Sequence, residues 1–255
     1  MGPLATQLFY KMMIENTQAC KDQEHINMVI LNHATMPDRT QAIMEDQLDD
    51  LLSRLSEDAD TLEKSGADYI AIPCNTCHVL INELQEKTSL PVVNMIKAAV
   101  KEIVHTYGTG AKVGIMATDG TVKMGLYQKE CRAQGLIPII PSPENQKLVM
   151  KIIYDGVKDG GPIDYDDFEA VETEFRDQEC DCVIMACTEL SCFKEQYQLS
   201  DYFVDAMEAS LGGMINDKQA AFTEGIYCNT GQKRSHCRNA DTGRNDGEKG
   251  KLCIL

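Results

Sequence analysis

Residues 67–77, A-D-Y-I-A-I-P-C-N-T-C, and residues 180–190, C-D-C-V-I-M-A-C-T-E-L, are two versions of one segment. Each is a short apolar run that ends in a cysteine, Cys74 in the first and Cys187 in the second, and then turns polar. Runs of this length and composition, bounded by turn formers, read as buried strands. The match extends in both directions. P-V-V-N-M (91–95) aligns with Y-F-V-D-A-M (202–207), setting Asn94 over Asp205, and M-G-P-L-A-T-Q-L-F-Y (1–10) aligns with D-G-T-V-K-M-G-L-Y-Q (119–128), setting Gly2 over Gly120. The separations are 118, 113 and 111 residues for the glycine, cysteine and Asn/Asp pairs, so they drift by only a few positions. A duplication on this scale implies two similar units, each presenting a cysteine at a strand end.

Around these segments, β-type runs alternate with helical stretches, the pattern of a mostly parallel sheet flanked by helices. Strands are expected at Asn27–Asn32, Asp68–Pro73, Val92–Met95, Lys112–Ala117, Ile137–Ile140, Cys182–Ala186 and Tyr202–Asp205. One helix is expected over Gln41–Lys64, with Leu48, Leu51, Leu52, Leu55, Ala59 and Leu62 on one face and Gly66 at its end. Another is expected over Asn145–Lys158, carrying Leu148, Val149, Ile152, Ile153 and Val157. The fold class is therefore α/β, built as two pseudo-symmetric, open parallel-sheet (flavodoxin-like) domains with the active site in the cleft between them. The expected boundaries are 1–96, completed by 204–216, for the first domain and 97–203 for the second.

The repeat also exposes a gap. Lys112–Ala117 runs directly into Asp119–Gly120, whereas Gly2 is preceded by Met1 alone. The first unit thus lacks the partner of that strand, which would be buried and five to six residues long by analogy, about the mean strand length. The expectation is that Met1 is an internal methionine of a longer chain, or that the gene model is truncated; a non-catalytic remnant with a regulatory or binding role is the alternative from another function class. The far end differs as well. Residues 217–255 show no clear apolar period and carry seven Lys and Arg against five Asp and Glu, about +2 where the rest is about −18. This stretch reads as an atypical, disordered tail foreign to the domains.

In open α/β sheets, ligands bind beyond the carboxyl ends of the strands. Cys74 and Cys187 stand at two such ends, and related units can face them across one cleft. One thiolate would remove a proton from a carbon while the opposite thiol returns one to the other face. Reversal exchanges their roles, so pseudo-symmetry serves the chemistry. A free thiol titrates near 8.5, and backbone N–H groups after each strand, with the hydroxyls of Thr76 and Thr188, would favour the thiolate or bind a substrate carboxylate. The other cysteines Cys20, Cys131, Cys180, Cys182 and Cys192 read as small packing residues. C-N-T-C (74–77) also has redox or metal spacing, but the repeat keeps only its first cysteine, Leu190 standing at the place of Cys77.

Bulk properties narrow the function class. A formal charge of −16 disfavours nucleic acid or an anionic membrane as partner. No apolar run approaches the roughly 20 residues that span a bilayer. Eleven cysteines without a disulfide-framework spacing fit reduced thiols in the cytoplasm. No motif requires pyridoxal phosphate or a metal.

The segments M-G-P-L-A-T (1–6), N-H-A-T-M-P-D-R-T (32–40), I-P-C-N-T-C-H (72–78), P-V-V-N-M (91–95), G-I-M-A-T-D-G-T (114–121), Y-D-G-V-K-D-G (154–160) and A-C-T-E-L (186–190) together resemble the aspartate/glutamate racemase superfamily. M-P-D-R-T is what leans towards its aspartate branch, and the opening Asp-Ser-Gly of glutamate racemases is not found. The resemblance covers roughly residues 1–210. It implies an active site between two domains, a catalytic pair at Cys74 and Cys187, no cofactor, and commonly a homodimer. It places Arg39 and Lys158 on the acidic side chain of the substrate, and Asn75, Thr76, Thr118, Thr188 and Glu189 around the amino acid. A guanidinium suits a carboxylate through two parallel donors. Without the resemblance, Arg39 would read as a solvated charge at a helix start, and Lys158 as a cation favoured at a helix end. The expected activity is interconversion of L- and D-aspartate, the alternative being broader acidic specificity that includes glutamate or cysteate.

Overall fold

A computed structural model of the chain describes residues 2–212 and 251–254, with only the backbone of Cys253. The first half runs α1 (Pro3–Asn16), β1 (Asn27–Ile30), α2 (Arg39–Met44), α3 (Leu48–Lys64), β2 (Tyr69–Ala71), a 3-10 turn at Thr76–Leu80, and α4 (Ile81–Gln85). After α5 (Met95–Tyr107) the second half follows: β3 (Lys112–Ala117), α6 (Asp119–Met124), α7 (Leu126–Ala133), β4 (Ile137–Ile139) and α8 (Pro143–Lys151). It ends with a π-helical segment (Ile152–Lys158), α9 (Tyr165–Asp177), β5 (Cys182–Ala186), α10 (Thr188–Tyr197) and β6 (Phe203–Asp205). Helical residues 206–212 come next, and β7 (Lys251–Ile254) closes the described chain. No helix among the described residues is long and apolar enough to cross a membrane.

Two all-parallel sheets result, ordered β1-β7-β2 and β4-β3-β5-β6. Strands buried on both faces must be apolar throughout, and Val113, Ile115, Val183, Ile184 and Met185 are fully buried. Helices cover both faces of each sheet. Leu51, Leu55, Ala59 and Leu62 of α3 pack on one face of the first sheet. Leu8, Phe9 and Met13 of α1, with Met207 and Leu211 from the far end of the second half, pack on the other.

The gap in the first unit is filled from the other end of the sequence, which corrects the reading of residues 217–255 as wholly foreign. β7 lies between β1 and β2, parallel to both, where β3 lies between β4 and β5. The correspondence reaches individual hydrogen bonds. Asp68 N–H donates to Lys251 O at 2.8 Å, as Asp181 N–H donates to Lys112 O at 2.8 Å. The Asp68 carboxylate accepts from Lys251 N–H, as that of Asp181 accepts from Lys112 N–H. Lys251 Nζ reaches Ser65 O, as Lys112 Nζ reaches Gln178 O. K-L-C-I therefore occupies the position of K-V-G-I (112–115). Short and embedded in polar sequence, it carries no periodicity of its own; its two neighbours decide its conformation. Residues 213–250, which hold most of the stretch read as a tail, lie outside the described residues.

Four other expectations are revised. The single helix over Gln41–Lys64 is two, broken at Asp46, whose φ of 58° is left-handed, a conformation Asp tolerates better than most residues. The break lets α2 start separately at Arg39, capped by the Asp38 carboxylate accepting from Gln41 N–H at 3.0 Å. The helix over Asn145–Lys158 starts at Pro143 and widens to a π-helix from Ile152. There a Cβ on Gly156 would stand 2.5 Å from Ile163, so only glycine lets the widened turn pack. Val92–Met95 makes one parallel bridge, Ile70 to Val92, before α5 starts at Met95. Cys20, expected to pack as a thiol, is exposed and disulfide-bonded.

Candidate active site

Each cysteine is placed by the same local device: an apolar strand ends, and the next residues turn into a helix. Cys74 follows β2 and precedes the 3-10 turn, while Cys187 follows β5 directly and caps α10. Both line one small cavity between the two halves, as do all seven residues that the resemblance puts on the substrate. From the first half come Arg39, Asn75 and Thr76; from the second come Thr118, Lys158, Thr188 and Glu189. Asp38, Thr40 and Tyr154 also line it and were missed as site residues. Asp38 and Thr40 flank Arg39 in M-P-D-R-T, and Tyr154 precedes Lys158 by one turn, so proximity in sequence was the available signal.

The two sulfurs have different surroundings. A hydrogen bond from the Cys77 thiol is the main influence drawing Cys74 down to about 5; burial opposes it, and the Arg39 guanidinium assists. Arg39, although buried, is held cationic by Cys74 and Cys77. Burial pushes the Cys187 thiol well above its ordinary range, and the Glu189 carboxylate reinforces the shift. Cys187 Sγ–H donates to Glu189 Oε2 at 2.9 Å. A thiolate on one side and a thiol on the other is the state that a proton relay between them requires at neutral pH.

The surroundings are pinned across the two halves. The hydroxyl of Thr76 lies 3.1 Å from that of Thr118 and 3.0 Å from that of Thr121. Asn75 accepts from the Tyr127 hydroxyl through Oδ1, fixing its amide. Its buried Nδ2, and the buried Nε of Arg39, have no hydrogen-bond partner among the described residues. Two unsatisfied buried donors beside Cys74 are costly unless a ligand accepts from them. His78 is held by Cys74 O at 2.9 Å and by Met95 N–H at 3.1 Å. Burial lowers its titration to about 4, leaving it a neutral structural link.

Lys158 lies 3.1 Å from Asp38 Oδ2 and 3.7 Å from the centre of the Tyr154 ring. The Tyr154 hydroxyl donates to the same carboxylate at 3.1 Å. Burial works against the charge on Lys158, but Glu189 and Asp38 outweigh it and hold the ammonium at about 12. Asp38 is from the first half and the other two are from the second, so this cluster bridges the mouth. The inner cavity measures about 10 Å³, room for one water. An outer recess of about 290 Å³ shares Asp38, Arg39, Lys158 and Glu189 with it. Among the described residues, no group of three or more His, Cys, Asp or Glu is arranged to hold a metal.

Known proteins share this architecture and sequence. The chain is 27% identical over 212 residues to the broad specificity amino-acid racemase RacX of Bacillus subtilis, covering 81% of this chain and 89% of that one. It is 30% identical over 142 residues to a glutamate racemase of Desulforudis audaxviator, covering 55% of this chain and 51% of the relative. Among solved structures, Picrophilus torridus aspartate racemase superposes with a TM-score of 0.69 at 25% identity, over 85% of this chain and 90% of that one. An aspartate racemase homologue from Pyrococcus horikoshii gives 0.68 at 23% identity, over 84% and 93%, a likeness of fold. Residues 1–211 match the Asp/Glu/Hydantoin racemase family, and the chain belongs to that family as an isomerase of the amino-acid racemase type.

Proposed function

We propose that this protein interconverts the L and D forms of a small acidic amino acid, aspartate foremost, by passing the α-proton between Cys74 and Cys187 without pyridoxal phosphate. The observation that carries the proposal is that Cys74 and Cys187, one from each half, line a single cavity; the directions of their titrations, Cys74 down and Cys187 up, agree with it. In the resting state Cys74 abstracts the α-proton, and Cys187 delivers its own from the opposite face. Glu189 then faces a thiolate, and reversal restores the starting state. The spare donors on Asn75 and Arg39 suit a substrate carboxylate, whose charge grows as the carbanion forms. Lys158, exchanging Asp38 for a substrate carboxylate, would account for acidic specificity.

The test is incubation of L-aspartate with the protein in heavy water, without added cofactor. The expected result is D-aspartate carrying deuterium at the α-carbon. Failure of aspartate, glutamate and cysteate alike to racemise would overturn the reading. The resemblance to RacX favours a second reading, broader specificity, which that same panel separates from the first.

The ionisation of Cys74 sets the acid limb of the pH profile. Its titration is depressed, so the base is present above about 5 and is lost as pH falls through that value. For the substrate enantiomer deprotonated by Cys74, kcat/KM should be level at neutral pH. Well below the titration it should fall about tenfold per pH unit. A limb near 8.5, where a free thiol titrates, would show that Cys77 and Arg39 do not activate Cys74.

A further inference from the structure

We infer that Cys74 and Cys77 form a peroxide-reactive thiol pair, in which Cys74 is the oxidisable sulfur and Cys77 the resolving one, closing a reversible disulfide across the C-N-T-C turn. The placement of the two residues carries this. They stand three residues apart where the chain leaves β2 for the 3-10 turn, in the spacing shared by dithiol redox motifs. Both are thiols, and both are buried in the same core cluster. Cys74 lines the inner cavity, which has room for a water-sized molecule, whereas Cys77 does not line it and is 1% exposed. A small peroxide thus meets Cys74 first, with Cys77 three residues on in the same cluster.

Ionisation agrees with the division of labour. The thiolate is the attacking form, and Cys74 is the sulfur drawn towards it, while Cys77 is pushed well up by its bond to Cys74 and by burial. The pseudo-symmetric site has no such pair, because Leu190 stands at the equivalent of Cys77 and the Cys187 thiol is committed to Glu189. The chemistry is thus confined to one of the two halves.

The steps balance with hydrogen peroxide as oxidant. The Cys74 thiolate attacks one peroxide oxygen, the O–O bond breaks, and with one proton the products are a Cys74 sulfenic acid and water. The Cys77 thiol then attacks the Cys74 sulfur, the S–O bond breaks, and a second water leaves as the disulfide forms. Two thiols and one peroxide yield one disulfide and two waters, the two electrons passing from sulfur to oxygen. A dithiol reductant reverses the bridge by exchange. Without Cys77 the sulfenic acid would persist and advance to sulfinic acid, which dithiols do not reduce.

The experiment treats the full chain with hydrogen peroxide and follows peptide maps by mass spectrometry, before and after dithiothreitol. The expected product in the wild type is a Cys74–Cys77 disulfide that dithiothreitol removes. Racemase activity, scored against the untreated sample, falls and returns with it. In Cys77→Ser, Cys74 is expected as sulfinic acid, and dithiothreitol restores none of the lost activity. The masses report the thiol chemistry whether or not the proposed reaction is correct. Recovery of Cys74 unmodified, as sulfinic acid despite an intact Cys77, or bridged to Cys187 would each overturn the inference.

Discussion

Serine in place of Cys74, or separately of Cys187, is expected to slow racemisation by about 10²–10⁴-fold, the usual worth of a positioned acid or base. A hydroxyl titrates far above a thiol, so Cys74→Ser could not hold the resting negative charge that Cys77 and Arg39 stabilise on sulfur. Cys187→Ser would keep a donor towards Glu189 but would lack the acidity to protonate a carbanion and then serve as base in reverse. Both losses should appear in kcat, in both directions, with little change in folding, because Cys→Ser nearly conserves volume. Chiral separation of aspartate with α-deuterium counting measures racemisation and exchange together. Full activity in either variant ends the two-base proposal. A change confined to KM would move that cysteine from proton transfer to substrate binding.

Removal of residues 251–255 is expected to unfold the first sheet. Leu252 and Ile254 are 2% and 0% exposed, and burying such side chains contributes about 1.5–3 kcal/mol each. The strand also satisfies ladder groups of β1 and β2 on both sides, each hydrogen bond contributing about 0.5–1.5 kcal/mol net. Together these rival the total stability of a typical domain, about 5–15 kcal/mol. Hydrogen exchange localises the effect. Leu31 N–H donates to Ile254 O at 2.9 Å and Asp68 N–H to Lys251 O at 2.8 Å, so both amides should lose protection. Asp181 N–H, bonded to Lys112 O in the other sheet, should keep more of its own. Leu252→Asp should reproduce the loss in a chain of full length. Unchanged urea midpoints and unchanged protection at Leu31 and Asp68 would mean that β7 does not carry the sheet.

The duplicated segment made much of the second sheet legible. K-V-G-I-M-A and C-V-I-M-A are continuous apolar runs ending at turn residues, and their observed bounds, Lys112–Ala117 and Cys182–Ala186, are those expected. The nine residues expected at the site all line one cavity. Cys74 and Cys187 could be read because a strand end followed by a helix start is a local feature, and two copies of it fix each other; Arg39, Lys158 and the other five were legible only through the family resemblance. Their roles rest on the experiments above. Helix interruptions were less visible. The breaks at Asp46 and Ile152 depend on what packs outside the helix: the Gln47 N–H to Ala42 O closure at 2.8 Å in one case, and Ile163 against bare Gly156 in the other.

By itself the sequence determined the α/β class, the duplication, and which strand ends carry Cys74 and Cys187, because apolar period and turn chemistry are properties of neighbouring residues. Tertiary structure decided three further things. It set K-L-C-I between β1 and β2, brought Asp38 of the first half onto Tyr154 and Lys158 of the second, and gave the two sulfurs different surroundings, Arg39 near Cys74 and Glu189 against Cys187. Each depends on groups far apart in the chain, and burial and charge act through distance in space, which a linear order of residues does not contain.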